Sequence, residues 1–304
     1  MSFSTDLKNQ DLETSRPNPQ KRNILIMRLA RAPWWLLIIL TMVLAFVITA
    51  ANSAHYRQAW DEVRKGIWTT IWVTLVAYTL ACLMGLILAL LRRPSKSLMY
   101  NIFVFQPVTV WVELIRGIPT LVLLFYIVLA LIPEGVRAGN DLGEWMLNNG
   151  YTFLGIGAYL VELHIRDVPL VYRAIMALSI SYSAFLSEIF RAGLESIDIG
   201  QREAARSLGM SSRQVMRYVI LPQAIRNVIP PLANDFIAML KESSLVSAVG
   251  VDDITRMGRN YNSATFTVFY GYNIIVVTYL VMTLGLSMIM KAVERYFGRS
   301  RSSE

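Results

Sequence analysis

Charge is scarce in this sequence. Asp, Glu, Lys and Arg make up only 16% of its 304 residues, against 55% hydrophobic, whereas soluble domains carry about a quarter charged residues. A chain so poor in charge cannot solvate a closed surface, which excludes an ordinary water-soluble enzyme. Cysteine is scarcer still: Cys82 alone leaves no disulfide framework and no thiolate metal site. The two histidines, His55 and His164, lie far apart with no ligand spacing around them, and each reads as a polar residue near a membrane surface. No G-x-x-x-x-G-K-[ST] phosphate loop occurs, no H-E-x-x-H and no G-x-S-x-G. Catalytic residues, a bound metal and a cofactor held by this chain are therefore not expected.

What the sequence does have is apolar residues in long blocks. A hydrocarbon core of ~30 Å takes about 20 residues of helix. Six blocks suit that role: about Trp34 to Ala51, Ile67 to Leu91, Ile118 to Ile132 (or from about Val108), Ala174 to Phe190, Val219 to Leu240 and Phe269 to Met290. They predict an all-α, polytopic membrane bundle of about six transmembrane helices. Residues 1–33 read as a basic tail, 34–51 as an additional N-terminal span, 66–294 as the main transmembrane domain and 295–304 as a second tail. The 33-residue basic lead is too long for a signal peptide's n-region, so the first span reads as an uncleaved anchor. Residues 133–172 read as a long polar connection whose apolar piece, Tyr151 to Val161, is too short to cross and suits an interfacial or re-entrant segment. Pro222, Pro230 and Pro231 are expected to break or bend the fifth span.

A net charge of +8 raises the question of nucleic acid. Six spans put both termini on one side, and the loops on that side (1–33, 92–113, 191–217, 291–304) hold 18 Lys and Arg against 8 on the other. This is the positive-inside bias. It places both termini in the cytoplasm and accounts for the basic charge without a nucleic-acid partner.

Residues 200–222 are the most informative. Gln201 to Leu208 favour helix, and Ala204, Ala205 and Leu208 fall on one face, with Arg202, Glu203 and Arg206 on the rest and Glu203 spaced to pair with Arg206. Gly209 is placed to stop that helix in the left-handed region. Ser211 and Gln214 then form a capping-box pattern that opens a second helix, which runs into the fifth span through Leu221-Pro222. A short amphipathic helix held between two spans is a docking element.

Glu203-Ala204-Ala205, Gly209 and Leu221-Pro222 resemble the EAA loop of type I ABC importer permeases, with Val219 where that family more often has Ile. Glu113-Leu-Ile-Arg-Gly-Ile-Pro119, Glu188-Ile-Phe-Arg-Ala-Gly193, Leu221-Pro-Gln-Ala-Ile-Arg226 and Lys241-Glu-Ser-Ser-Leu245 resemble, in order, segments of the polar amino acid permease subfamily. The resemblance covers residues 66–294; the extra N-terminal span and the long 133–172 connection depart from it. It implies a multi-pass permease subunit of the bacterial inner membrane and two partner ATPase subunits that hold ATP and Mg. It also implies a second permease, identical or homologous, and an extracytoplasmic amino acid-binding protein, with lipid around the spans. A secondary transporter, the competing reading, needs midplane ion-coupling carboxylates and usually internal repeats; no repeat is present, and the glycine-turn loop has no purpose in it.

Other residues carry two readings each. Glu113 with Arg116, and Glu188 with Arg191, read either as local ion pairs or as a network that locks the inward end of the pathway. Asp235, beside Asn234, must face the bundle interior or a wet cavity, where it meets a substrate ammonium or pairs with an arginine such as Arg226. Ser243 and Ser244 follow on the same path. Lys241 and Glu242 read as part of an external gate or as a helix cap.

Overall fold

The computed structural model describes residues 34–151 and 155–298; the basic segment 1–33 and the last six residues lie outside them. Among the described residues the chain is helical and forms no strand. Its internal contacts divide it into two units, Met1–Ala54 and His55–Glu304. The first holds α1 (Trp34–Ala51), apolar but for Thr41 and Thr49. Their hydroxyls donate to the carbonyls of Leu37 and Ala45, each at 2.8 Å, so no polar group is left unsatisfied in an apolar setting.

The second unit opens with α2 (Ala54–Val63), which a 3₁₀ turn joins to α3 (Ile67–Leu91). There follow α4 (Gln106–Gly117), α5 (Thr120–Phe125), α6 (Ile132–Asn148), α7 (Ile156–Glu162), α8 (Leu170–Glu195), α9 (Ile199–Ser207), α10 (Leu221–Glu242), α11 (Ile254–Thr265) and α12 (Val268–Gly298). Among the described residues five continuous helices are long and apolar enough to cross a membrane: Ala54–Leu91, Leu98–Gly117, Thr120–Asn148, Leu170–Glu195 and Val268–Tyr296. The apolar part of α1, Leu36–Ala51, is shorter. α10 is long enough but less apolar, carrying Arg226, Asp235, Lys241 and Glu242 with Gln223, Asn227 and Asn234.

The sequence reading needs three corrections here. Residues 92–113 are not a plain loop, since Leu98–Gly117 is a continuous helix. Tyr100 Oη donates to the Leu91 carbonyl at 2.9 Å, while Glu113 accepts from Arg92 at 3.3 Å. About 20 Å of helix separates Tyr100 from Glu113 at 1.5 Å per residue, yet both meet the same end of α3. The helix therefore lies across that end instead of running beside α3.

Residues 133–172 are not mainly loop either. α6 carries the preceding helix on to Asn148, and α7 folds back on it. The two pack closely because Gly143 has no side chain: a Cβ there would sit 2.7 Å from the Gly157 carbonyl oxygen. Third, Pro230 and Pro231 lie inside an unbroken α10.

Three other prolines act in a common way. Pro107, Pro133 and Pro222 each stand second in an α-helix that a π-helical run precedes: Asn101–Phe105, Tyr126–Leu131 and Val215–Ile220. In each case the residue before proline donates five residues back, Gln106 to Asn101, Ile132 to Ile127 and Leu221 to Met216. Proline has no N–H, and its ring crowds the carbonyl four residues earlier. One wider turn makes room for the ring without breaking the helix.

The core is the packing of α3 on α8. The buried residues of α3 are small (Thr70, Val73, Thr74, Ala77, Ala81, Gly85, Ala89), and a Cβ on Gly85 would come within 3.0 Å of Leu186 Cβ. Lipid is as apolar as leucine, so helices in it associate through close approach and interhelical hydrogen bonds. Ser179 Oγ supplies one such bond, to the Ala77 carbonyl at 3.3 Å. Large apolar side chains such as Leu83, Ile87, Trp68 and Val276 point outward, as a lipid-facing surface requires.

A buried carboxylate and its neighbour link three helices. Asp253 is fully buried and caps α11 by accepting from the Arg256 N–H at 2.8 Å. Tyr279 Oη of α12 donates to it at 3.2 Å, and the adjacent Ile254 N–H donates to Thr70 Oγ1 of α3 at 3.2 Å. Burial pushes the Asp253 carboxyl above the usual range, and these hydrogen bonds offset only part of that.

Candidate functional site

The segment between α8 and α10 is built by local rules. Asp198 caps α9 by accepting from the Gly200 N–H at 2.6 Å. α9 ends where Gly209 takes φ +81°. There the Gly209 N–H reaches the Arg206 carbonyl (2.9 Å) and the Met210 N–H the Ala205 carbonyl (3.2 Å). This double bond pattern satisfies the last carbonyls of a helix and requires the left-handed residue that glycine supplies. Ser211 and Gln214 then exchange bonds, Ser211 N–H to Gln214 Oε1 at 2.8 Å and Gln214 N–H to Ser211 Oγ at 3.4 Å. The next helix starts there and continues through Leu221-Pro222 into α10.

One side of this element is packed and the other is bare. Ala205 is buried with Ile197, Val215, Ile220 and Ala224. Ala204 and Leu208 do not share that face, contrary to the sequence reading: both are exposed, Leu208 at 84%. They join Ile199, Arg202, Glu203 and Arg206 on the outward surface. Glu203 and Arg206 make no ion pair with each other, so both charges face outward.

Behind the packed side, two side-chain hydrogen bonds fasten the element to α10, and Gln223 is braced by a third within its own helix. Gln223 Nε2 donates to Gln201 Oε1 (2.6 Å) and to the Val219 carbonyl (3.0 Å). Asn227 Nδ2 donates to Ser196 Oγ at 2.8 Å. Gly193, near the end of α8, lies directly under Val228.

Next to this loop the two expected i,i+3 pairs meet in one charged cluster. Arg191 binds Glu188 (2.6 Å) and Glu195 (2.7 Å), and Arg116 lies 3.6 Å from both Glu113 and Glu188. At the centre stands Arg92, with a side chain only 8% exposed, bonded to Glu188 at 2.5 Å and to Glu113 at 3.3 Å. Arg92 was not among the residues singled out from the sequence. Its one signal there is its position, the first charge after the apolar run of α3, where a cation suits the negative end of the helix dipole. Arg116 also sits 6.0 Å from the centre of the Phe185 ring.

α10 carries the remaining polar candidates. Asp235 is half-buried and Asn234 exposed. Asp235 and Glu242 stand two helical turns apart on one face, within electrostatic reach of each other and of Tyr182. Tyr78 Oη donates to the Leu232 carbonyl at 2.6 Å, and its ring packs on Phe236. Asp235 does not pair with Arg226, which is exposed more than two turns away. Ser243 is buried and donates to the Leu240 carbonyl at 2.7 Å, while Ser244 is half-buried. Lys241 is exposed and Glu242 half-buried, with no ion pair between them. Among the described residues no three His, Cys, Asp or Glu side chains gather as metal ligands do.

Residues 81–303 match the family described as binding-protein-dependent transport system inner membrane component. The chain belongs to that family. Relatives include a probable amino-acid permease protein of Bacillus subtilis, YxeN, 33% identical over 74% of this chain and 87% of its own length. The glutamine transport system permease protein GlnP of Escherichia coli K12 is 30% identical over 76% of this chain and 90% of its own length. Among solved structures, one described as an amino acid ABC transporter with histidines aligns at TM-score 0.60 and 36% identity, covering 78% of this chain and 94% of that one. The MetNI methionine ABC transporter, at TM-score 0.53 and 20% identity over 77% and 95% of the two chains, shares the fold.

This membership makes the chain a permease subunit, a multi-pass protein of the inner membrane that works with a binding protein, while a separate chain hydrolyses ATP. A permease conducts and couples rather than catalyses, which agrees with the lack of any catalytic constellation in its sequence.

Proposed function

We propose that this permease forms the substrate pathway of an ATP-driven importer for polar amino acids and couples to its ATPase through α9 and the turn at Gly209. The observation that carries the coupling role is the outward face of α9. It presents Glu203, Ala204, Arg206 and Leu208 to solvent while Ala205 and the α10 contacts hold it rigidly from behind. A partner pressing on that face moves α10, because Gln223 of α10 holds Gln201 of α9 and the helix opened at Ser212 runs unbroken through Leu221 and Pro222.

The amino acid substrate is supported by relatives named as amino-acid and glutamine permeases. In this reading two ATPase subunits carry ATP and Mg, a second permease completes the pathway, and an extracytoplasmic binding protein delivers the solute. Both termini face the cytoplasm, in line with the distribution of Lys and Arg. Asp235, with Asn234 and Ser244, lines the path, where a carboxylate beside Tyr182 suits an ammonium group, while Ser243 is fully buried with its hydroxyl spent on Leu240.

Co-purification with the ATPase tests the coupling role. Glu203→Lys and Gly209→Pro should each abolish retention of the ATPase by the tagged permease; retention at the wild-type level in both variants refutes it. Uptake of labelled glutamine, histidine and arginine by the assembled transporter in vesicles tests the substrate class, and transport of none of the polar amino acids overturns it.

A further inference from the structure

We propose that Arg92 is a positioning residue for coupled transport. In this role it clamps the surface-lying helix α4 to the base of α8, so that movement of the coupling loop reaches the α4–α5 junction. This rests on the coupling role just assigned to α9.

The geometry is specific. Arg92 ends α3, Glu113 lies in the last turns of α4, and Glu188 lies two turns before the end of α8. One guanidinium joins all three helices, at 2.5 Å to Glu188 and 3.3 Å to Glu113. Its planar fork can serve two carboxylates at once, which a lysine ammonium does with less geometric control. Arg116 repeats both contacts at 3.6 Å, and Arg191 extends the cluster to Glu195. Three arginines face three glutamates, so the cluster is neutral as a unit and has no charge to expel.

Its neighbours make it a transmission point. Glu195 immediately precedes Ser196, which Asn227 of α10 holds at 2.8 Å. Arg116 immediately precedes Gly117, where α4 stops; Ile118 and Pro119 are extended, and α5 starts at Thr120. The cluster thus bridges the root of the coupling loop and the break that lets α4 and α5 change angle. Apart from it, the Leu98–Gly117 helix is held mainly by the buried Val112 and Ile115 and by the Tyr100 bond to Leu91, and most of its surface is exposed. Hinges are short segments at element ends that absorb backbone rotation; here the charge cluster determines whether that rotation follows the loop.

The test uses the complete transporter of permease, ATPase and binding protein in vesicles, with substrate moved per ATP hydrolysed as the readout. Arg92→Gln should lower that ratio about tenfold, inside the range of allosteric coupling energies, by raising hydrolysis without binding protein while uptake falls. Arg92→Lys should recover part of it, and Arg93→Gln, which removes an exposed neighbour outside the cluster, should leave it unchanged. Glu113→Gln removes a mostly exposed carboxylate that the fold tolerates and should lower the ratio about threefold; it decides the matter if Arg92→Gln fails to assemble. Equal ratios for Arg92→Gln, Glu113→Gln and Arg93→Gln overturn the proposal. An unmodified transporter whose ATPase does not respond to the binding protein overturns the coupling reading of α9 instead.

Discussion

Gln223 donates its amide to Gln201 Oε1 at 2.6 Å, across 22 residues of sequence. The same Nε2 donates to Val219, one turn back in its own helix. Gln223 is therefore held by its own backbone and holds α9 in turn. A single hydrogen bond of this kind contributes about 1 kcal/mol net, too little to threaten folding but enough to set the mobility of a nine-residue helix. Gln201→Ala should leave the thermal midpoint of the purified permease within a few degrees. Amide exchange of residues 199–208 should rise several-fold. Unchanged exchange there refutes the pinning role.

Gly209 separates conformation from contact. A Cβ at this position meets nothing within 4 Å, so only the φ of +81° resists substitution. The left-handed region costs a residue with a Cβ roughly 1–2 kcal/mol, and asparagine tolerates it better than most. Gly209→Ala should weaken ATPase retention, and Gly209→Asn should retain most of it. Equal loss in both variants points to a missing contact rather than a strained turn.

At Gly193 the cause is the reverse. Its backbone is ordinary helix, but a Cβ would run into Val228 Cγ2. Overpacking of this kind costs about 1–3 kcal/mol. Gly193→Ala should lower the thermal midpoint in detergent, and the double variant Gly193→Ala/Val228→Ala should recover most of the loss. A double variant as unstable as the sum of the single changes refutes the direct contact.

Local parts of the loop were legible from sequence because their partners are local. Ser211 and Gln214 cap one another across three residues, and Gly209 stops the helix it follows. Arg92 was not legible, since its carboxylates lie 21 and 96 residues away in helices whose approach no spacing rule encodes. The face of α9 was misjudged for a related reason. Ala204, Ala205 and Leu208 are all compatible with one apolar stripe, but the helix is too short to bury a stripe and turns Ala205 alone inward. Residues 92–113 read as a loop because Asn101, Gln106 and Pro107 interrupt the apolar run; a π turn absorbs the proline and the helix continues.

Asp253 should show in the pH dependence of stability. Burial raises its carboxyl pKa, so the folded chain holds this proton at pH values where the unfolded chain has released it. Stability from this group is full below the unfolded carboxylate pKa of about 3.9 and falls as pH rises through the folded value. Asp253→Asn keeps an acceptor for the Arg256 N–H, offers an amide N–H to Tyr279 Oη in place of the second oxygen, and abolishes the titration. Its thermal midpoint should be flatter with pH than that of the wild type, and relatively higher on the neutral side. Parallel pH profiles for the two proteins refute the assignment.

The wide turn before Pro222 alters how this part of the chain can be compared with others. Each extra residue admitted by a π turn advances the helix face by about 100° at 3.6 residues per turn. A wheel drawn straight through 212–242 therefore carries a phase error at Leu221. Residues before it, such as Val215 and Ile220, belong to the wheel that meets α9, and those after it, such as Asp235 and Glu242, to the wheel that meets Tyr182. Inserting or deleting one residue between Ser212 and Pro222 would re-aim the entire polar edge of α10 while leaving every residue of that edge in place.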